Sequence, residues 1–146
     1  LFDAKFVAYF EDADWCFRAR LAGFSAGLAP DAVARHVGSA SLSGVTWWRS
    51  RQCYRNHVML VMKNMPLSLL LRRAIPIKLE QFHQSYMLVS SARTEFGLLR
   101  AILMLIQAGG GLIALLPYLF VARWKIQRSR KVSASAIDTL LSSRDE

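Results

Sequence analysis

From Ala101 to Ala122 no side chain carries a charge, and Gln107 is the only strongly polar group in those twenty-two residues. As a helix rising ~1.5 Å per residue, the stretch reaches about 33 Å, enough to cross a bilayer core of ~30 Å. Arg100 precedes it, and Arg123 and Lys125 follow. Gly109-Gly110-Gly111 and Pro117 interrupt it. Membranes tolerate such residues better than water does. They would also divide the stretch into two short helices of a re-entrant or interfacial hairpin. Three outcomes are open: a true span, monotopic insertion, or a helix buried in a water-soluble fold.

Charge divides the chain. Residues 1–44 hold four bases and five acids, a net charge of −1, while residues 45–146 hold the other fifteen bases and five acids, net +10. Hydrophobic residues make up 53% of the chain and mean hydropathy is +0.24, which excludes a disordered basic tail. A basic half can bind nucleic acid or anionic lipid. Here the bases alternate with long apolar runs, not with stacking aromatics on a strand platform, so lipid is expected and nucleic acid is not. Cys16 and Cys53 are too far apart in sequence for a C-x-x-C motif, which leaves no disulfide scaffold or cysteine zinc site.

The division gives three expected segments: 1–44, 45–97 and 98–146. In the first, Phe6–Phe10 reads as a buried strand, and Asp12 as the cap of a helix from Ala13 to Ala22 that ends at Gly23. Asp14 and Arg18 lie one turn apart and can pair. Residues 24–30 and 32–37 read as strands about a Pro30-Asp31 turn, followed by a small-residue loop from Gly38 to Gly44. The expected class is therefore α/β at the N-terminus, followed by a mainly helical, membrane-associated region. Glu11, Asp12 and Asp14 repel one another unless a cation or metal is near, and the plainer reading of them is a solvated helix start. His36 is, on the plainer reading, a satisfied core histidine.

The order Phe2-Asp3, Phe6, Tyr9-Phe10-Glu11-Asp12-Ala13-Asp14-Trp15-Cys16-Phe17-Arg18, Gly23, Pro30, His36 resembles the second half of the catalytic domain in family 2 glycosyltransferases. The rhamnosyltransferase-like and galactofuranosyltransferase-like branches are the nearest in pattern. Tyr54-Arg55-Asn56 and Lys63-Asn64-Met65-Pro66 resemble the segment after the loop. The resemblance covers residues 1–66 and continues weakly through Arg123–Leu141.

It implies a GT-A fold and inverting transfer of a sugar, rhamnose or a similar deoxysugar, from a nucleotide-sugar donor to a glycan or lipid-linked acceptor hydroxyl. Asp12 would be the general base with Glu11 beside it. Asp14 and Trp15 would shape the acceptor pocket. His36 would help hold a divalent cation, Mn²⁺ or Mg²⁺, that neutralises the departing diphosphate. Asp12-Ala13-Asp14 also spells the D-x-D string of the nucleotide site, but its neighbours match the acceptor-side motif. The nucleotide-binding half is expected upstream of Leu1, and this portion alone is not expected to turn over. A non-enzymatic membrane-anchoring helical module is the alternative.

Beyond residue 44, Thr46 to Met65 reads as a helix with Trp47, Tyr54, Val58, Val61 and Met65 on one face. Arg51 and Arg55, one turn apart, can meet an acceptor phosphate or a lipid headgroup, or simply face water. Pro76 is expected to break or kink any helix there, with an amphipathic helix from Ile77 to Ala92. Arg123, Lys125, Arg128, Arg130 and Lys131 surround Trp124, a pattern suited to anionic lipid on the cytoplasmic face. A solvated helix face is the plainer reading. Ser135–Asp138 has a capping-box form opening a last helix through Leu141.

Overall fold

The Asp3 carboxylate accepts a hydrogen bond from the Lys5 N–H (3.0 Å) and starts a single 3₁₀ turn, Ala4–Phe6. The computed structural model describes residues 1–27, 29–35 and 46–142, and in these every regular element is helical. The helices are α1 (Glu11–Leu21), α2 (Thr46–Asn64), α3 (Leu67–Arg72), α4 (Ala74–Phe96), α5 (Leu98–Arg128) and α6 (Ala134–Ser142).

The expected α/β front is overturned: no strand forms among the described residues. A strand needs a neighbour to take up its N–H and C=O groups. None is offered here, and the apolar run at residues 6–10 coils instead. Val7, Tyr9 and Phe10 adopt left-handed φ angles of 64°, 69° and 69°. Their neighbouring carbonyls are taken by side chains of α2, as described below. Residues 24–27, 29 and 32–35 have no regular structure and lie exposed. The Pro30-Asp31 turn does form, with the Ala32 N–H donating to the Ala29 carbonyl at 3.0 Å. His36 and the loop from Gly38 to Gly44 lie outside the described residues.

α1 starts two residues earlier than its sequence suggests. Phe10 occupies the cap position with no side-chain bond, so Asp12 sits in the first turn and does not cap. The helix ends as expected: Gly23, at φ 91°, takes the left-handed conformation that a Cβ disfavours. Pro76 falls in the first turn of α4, where its missing N–H breaks no helical bond, so it does not stop the helix. Gly97 alone separates α4 from α5, at φ 84° and ψ 160°, a conformation essentially confined to glycine.

α5 is continuous through Gly109-Gly110-Gly111 and Pro117, so the two-helix hairpin does not form. It runs parallel to α2. A Cβ on Gly111 would lie 3.7 Å from the Arg55 side chain, Leu119 packs with Met59, and Gln127 donates to the Asn64 carbonyl (2.7 Å). Two small cores result. Phe6, Met59 and Leu119 fill one, drawing on all three sequence segments. Leu21, Met65, Leu69 and Ile137 fill the other, where α1, α3 and α6 meet the end of α2. The α6 cap is Ser133, whose Oγ accepts from the Ala136 N–H (3.1 Å), two residues ahead of the expected Ser135.

Candidate functional site

The segment entering α1 is held by one amide. Asn56 Nδ2 lies 2.8 Å from each of the Phe6, Ala8 and Tyr9 carbonyls, and Gln52 Nε2 donates to the Phe6 carbonyl at 3.0 Å. Both side chains are buried. Arg55 adds a bond from Nη2 to the Lys5 carbonyl (2.7 Å) and braces Asn56 through its Oδ1 (3.1 Å and 3.0 Å). Arg55 is thus tied to the fold through Nε and Nη2. Non-glycine residues in left-handed conformations cost about 1–3 kcal/mol each and persist where their surroundings over-determine them. Here three lie immediately ahead of Glu11 and Asp12.

Beneath them sits a buried ionic cluster. Lys63 Nζ bridges Asp3 Oδ2 (2.5 Å) and Asp14 Oδ1 (2.7 Å). Asp14 also receives Arg18 Nε at 2.8 Å and Asn64 Nδ2 at 2.7 Å. Tyr118 on α5 donates its hydroxyl to Asp3. Lys63 lies 4.8 Å from the centre of the Phe6 ring, a cation–π contact in the same pocket. Burial alone would push the Asp3 carboxyl up. The hydrogen bonds from Lys63, Tyr118 and the Lys5 backbone, with the Lys63 charge, outweigh it and hold Asp3 below the usual aspartate value.

The acidic triplet therefore splits. Asp14 is fully buried in the cluster and cannot line an open acceptor pocket, although its expected pair with Arg18 is present. Asp12 is exposed in the first turn of α1, its Oδ1 accepting from the Ala13 N–H at 2.7 Å. Glu11 is half-buried, and its Oε2 is enclosed with no hydrogen-bond partner among the described residues. Trp15 borders a cleft of about 590 Å³ together with Arg18, Arg20 and Phe24. Asp3 and Asp14 share a lysine, so that pair does not suit a divalent ion. No other group of three metal-ligating side chains occurs among the described residues. The cation expected with His36 thus rests on a residue outside them.

The five bases after Ala122 do not form one patch. Arg123 Nη1 donates to the Met62 and Met65 carbonyls (2.6 Å and 2.8 Å), closing the end of α2. Lys125 turns toward a hollow with Arg18 and Ser129. Lys131 lies against Gly23, its N–H donating to the Leu21 carbonyl at 2.8 Å. Arg128 stacks over exposed Trp124, 5.1 Å from the ring centre, and with Arg130 borders a separate cavity.

Sequence reasoning missed Asp3, Gln52, Asn56, Lys63 and Asn64 as parts of one arrangement. The available signal was polar side chains at 52, 56 and 63, with Met59 between them, on one face of α2. α5 is the one helix among the described residues long and apolar enough to cross a membrane, and only 17% of its most apolar window is buried. No family model, curated protein or solved structure matches the chain.

Proposed function

We propose that this chain is the acceptor-side portion of an inverting sugar transferase that works at a membrane surface, with Asp12 as general base. The observation that carries the reading is the state of the two adjacent carboxylates. Glu11 Oε2 is shut off from solvent inside the fold, whereas Asp12 beside it is exposed in the first turn of α1. An acceptor hydroxyl arriving from solvent would therefore meet Asp12, which can take its proton. Support comes also from which segments meet. The residues carrying the resemblance at 54–56 and 63–66 include those that hold residues 6–14 in place.

The donor would be a nucleotide-sugar, and the acceptor a glycan or lipid-linked sugar. A divalent cation with His36 among its ligands would supply charge neutralisation at the leaving diphosphate. Asp12 takes the acceptor proton as the hydroxyl oxygen attacks the anomeric carbon and the bond to the diphosphate breaks.

The membrane reading rests on the exterior of α4 and α5. Ile75, Leu79, Phe82 and Tyr86 on α4, and Leu99, Ile102, Ile106, Ile113, Phe120 and Trp124 on α5, are all exposed at helical spacing. The α5 stripe runs about 38 Å at ~1.5 Å per residue. α2 lies along the opposite side of α5 and carries Arg51, Arg55 and Lys63. A perpendicular span would drag those bases into hydrocarbon, where each costs several kcal/mol. An in-plane seat buries the stripe and leaves α2 in water. The basic residues after Ala122 favour the cytoplasmic face.

The test is Asp12→Asn in membranes from cells expressing the gene's whole product, assayed by transfer of labelled sugar to membrane acceptors. The expected loss is ~10²–10⁴-fold, the usual worth of a positioned base. Turnover at the parent rate would remove Asp12 from that role.

A further inference from the structure

A cavity of about 610 Å³ opens between the start of α3 and the last turns of α5, and nothing in the sugar-transfer reading uses it. Its charged lining is Arg123, Arg128 and Arg130, with no carboxylate among the described lining residues. Arg123 is fixed by its bonds to the end of α2, so its charge cannot swing away. Arg128 is held over the Trp124 ring. Arg130 Nη1 is buried with no hydrogen-bond partner among the described residues. Three guanidinium groups around one cavity with no carboxylate among its described lining residues call for an anion rich in acceptor oxygens. Phosphate matches the planar fork of arginine best.

Part of the cavity lining is apolar. Leu67, Phe120 and Trp124 border it and are 63%, 67% and 59% exposed. Phe120 and Trp124 are also the last members of the α5 stripe. A ligand seated on the arginines therefore has apolar protein surface beside its phosphate, continuous with the face that meets the membrane.

We propose that this cavity is a headgroup site for a lipid phosphomonoester, held by Arg128 and Arg130 with Arg123 behind them and its chain laid along Phe120 and Trp124. The inference rests on the in-plane membrane reading, but not on sugar transfer. It treats Lys125 and Lys131, part of the same basic run, as outside the site, because Lys125 borders a different hollow and Lys131, beyond the end of α5, lies against Gly23.

Flotation of the whole chain with vesicles tests it. Three compositions are compared: phosphatidylcholine alone, with about one-tenth phosphatidate, and with phosphatidylglycerol at matched surface charge. The parent is expected to bind the phosphatidate vesicles about tenfold more tightly than the phosphatidylglycerol vesicles. Arg128→Gln with Arg130→Gln should erase that preference, and Arg128→Gln alone, at an exposed position, should reduce it. Lys125→Gln with Lys131→Gln removes equal charge and should keep it. Equal binding of the parent to the two anionic vesicles, or equal effects of the arginine and lysine pairs, would overturn the site in favour of diffuse attraction. Saturable binding of inorganic phosphate to the parent without vesicles, lost in the arginine pair variant, together with equal flotation on the two anionic vesicles, would assign the cavity to free phosphate and overturn the lipid. Absence of binding to any vesicle would overturn the membrane reading itself, an outcome distinct from binding without headgroup preference.

Discussion

Where α1 meets α2 the interior is polar, and along α4 and α5 the exterior is apolar. Asp14, Gln52, Asn56, Lys63 and Asn64 are buried, while Phe82, Ile113 and Phe120 are mostly exposed. A water-soluble domain arranges these the other way. The difference shows two ways of satisfying the chain. The α1–α2 region closes on itself, since nearly every polar atom there finds a partner within the fold. The α4–α5 face has no such closure among the described residues. An exposed stripe this long is an interaction surface and not scattered surface hydrophobicity.

The largest effect should come from breaking the closed region. Lys63→Met removes the cation shared by Asp3 and Asp14 and leaves two carboxylates facing each other in the interior. Breaking one side of a buried ion pair costs about 3–5 kcal/mol. The expected outcome is loss of cooperative unfolding, or a large fall in the midpoint of chemical denaturation. A variant as stable as the parent would mean that the cluster is open to water in solution.

Asn56→Ala should come next. It removes the Asn56 donor from the Ala8 and Tyr9 carbonyls, while the Phe6 carbonyl keeps Gln52 and the Ala8 N–H. A cost of about 1–3 kcal/mol is expected, that of buried acceptors left unpaired. Faster amide hydrogen exchange at Ala8 through Phe10 should accompany it. Unchanged exchange there would show that the strained turn holds without Asn56.

The closed region was only partly legible in the sequence. The Asp14–Arg18 pair, the Gly23 stop and the Pro30-Asp31 turn are local, and residue chemistry alone fixes them. The α2 helix was legible, but its inner face was not. An apolar face through Trp47, Tyr54, Val58, Val61 and Met65 was expected; Met65 is buried with Val61 packed beside it, but the residues buried on α2 itself are Gln52, Asn56, Met59, Lys63 and Asn64. Hydrophobic periodicity finds the side that would bury in water or oil. It cannot find a side that buries because Asp3 and the carbonyls of residues 6–9 wait opposite, about fifty to sixty residues away in sequence. The strands failed for a related reason. Phe6–Phe10 has strand composition, but a strand is a property of two segments, and composition reports on one. On α5 the length and apolar character were legible. The sharing of the five following bases among separate surfaces was not, because it depends on where α1 and α2 pack.

Acid should separate the regions more gently. Burial, the main cause, pushes the His57 imidazole below its ordinary 6.5, with the Glu80 charge opposing. The ring meets Gln81 Nε2 through Nδ1 (2.7 Å) and packs 5.5 Å from Phe10. A histidine depressed in the fold binds fewer protons folded than unfolded. Its contribution is complete above pH 6.5 and declines as pH falls below that value. Asp3 behaves alike in a lower window, losing its contribution as pH falls below about 3.8 toward its depressed folded value. Denaturation midpoints should thus fall in two stages. His57→Gln should flatten only the upper stage. A single acid transition that His57→Gln leaves unaltered would place the ring in solvent.

The smallest effect on folding, and the sharpest test of the contrast, lies on the outer face. Ile106→Ser with Phe120→Ser changes two side chains that are 63% and 67% exposed. Neither residue belongs to the polar cluster. In water the expected change in unfolding free energy is within about 0.5 kcal/mol per site, as for surface positions generally. If the face meets a bilayer, the same pair removes apolar area from the contact at ~25 cal/mol per Å². Binding to neutral phosphatidylcholine vesicles should then drop by at least about tenfold, since a loss of ~1.4 kcal/mol suffices. A variant equally stable in water and impaired on vesicles would establish that the apolar face is there for the membrane. One that loses stability in water and keeps its vesicle binding would make the same face a core surface, covered by protein, and the two regions would no longer differ in kind.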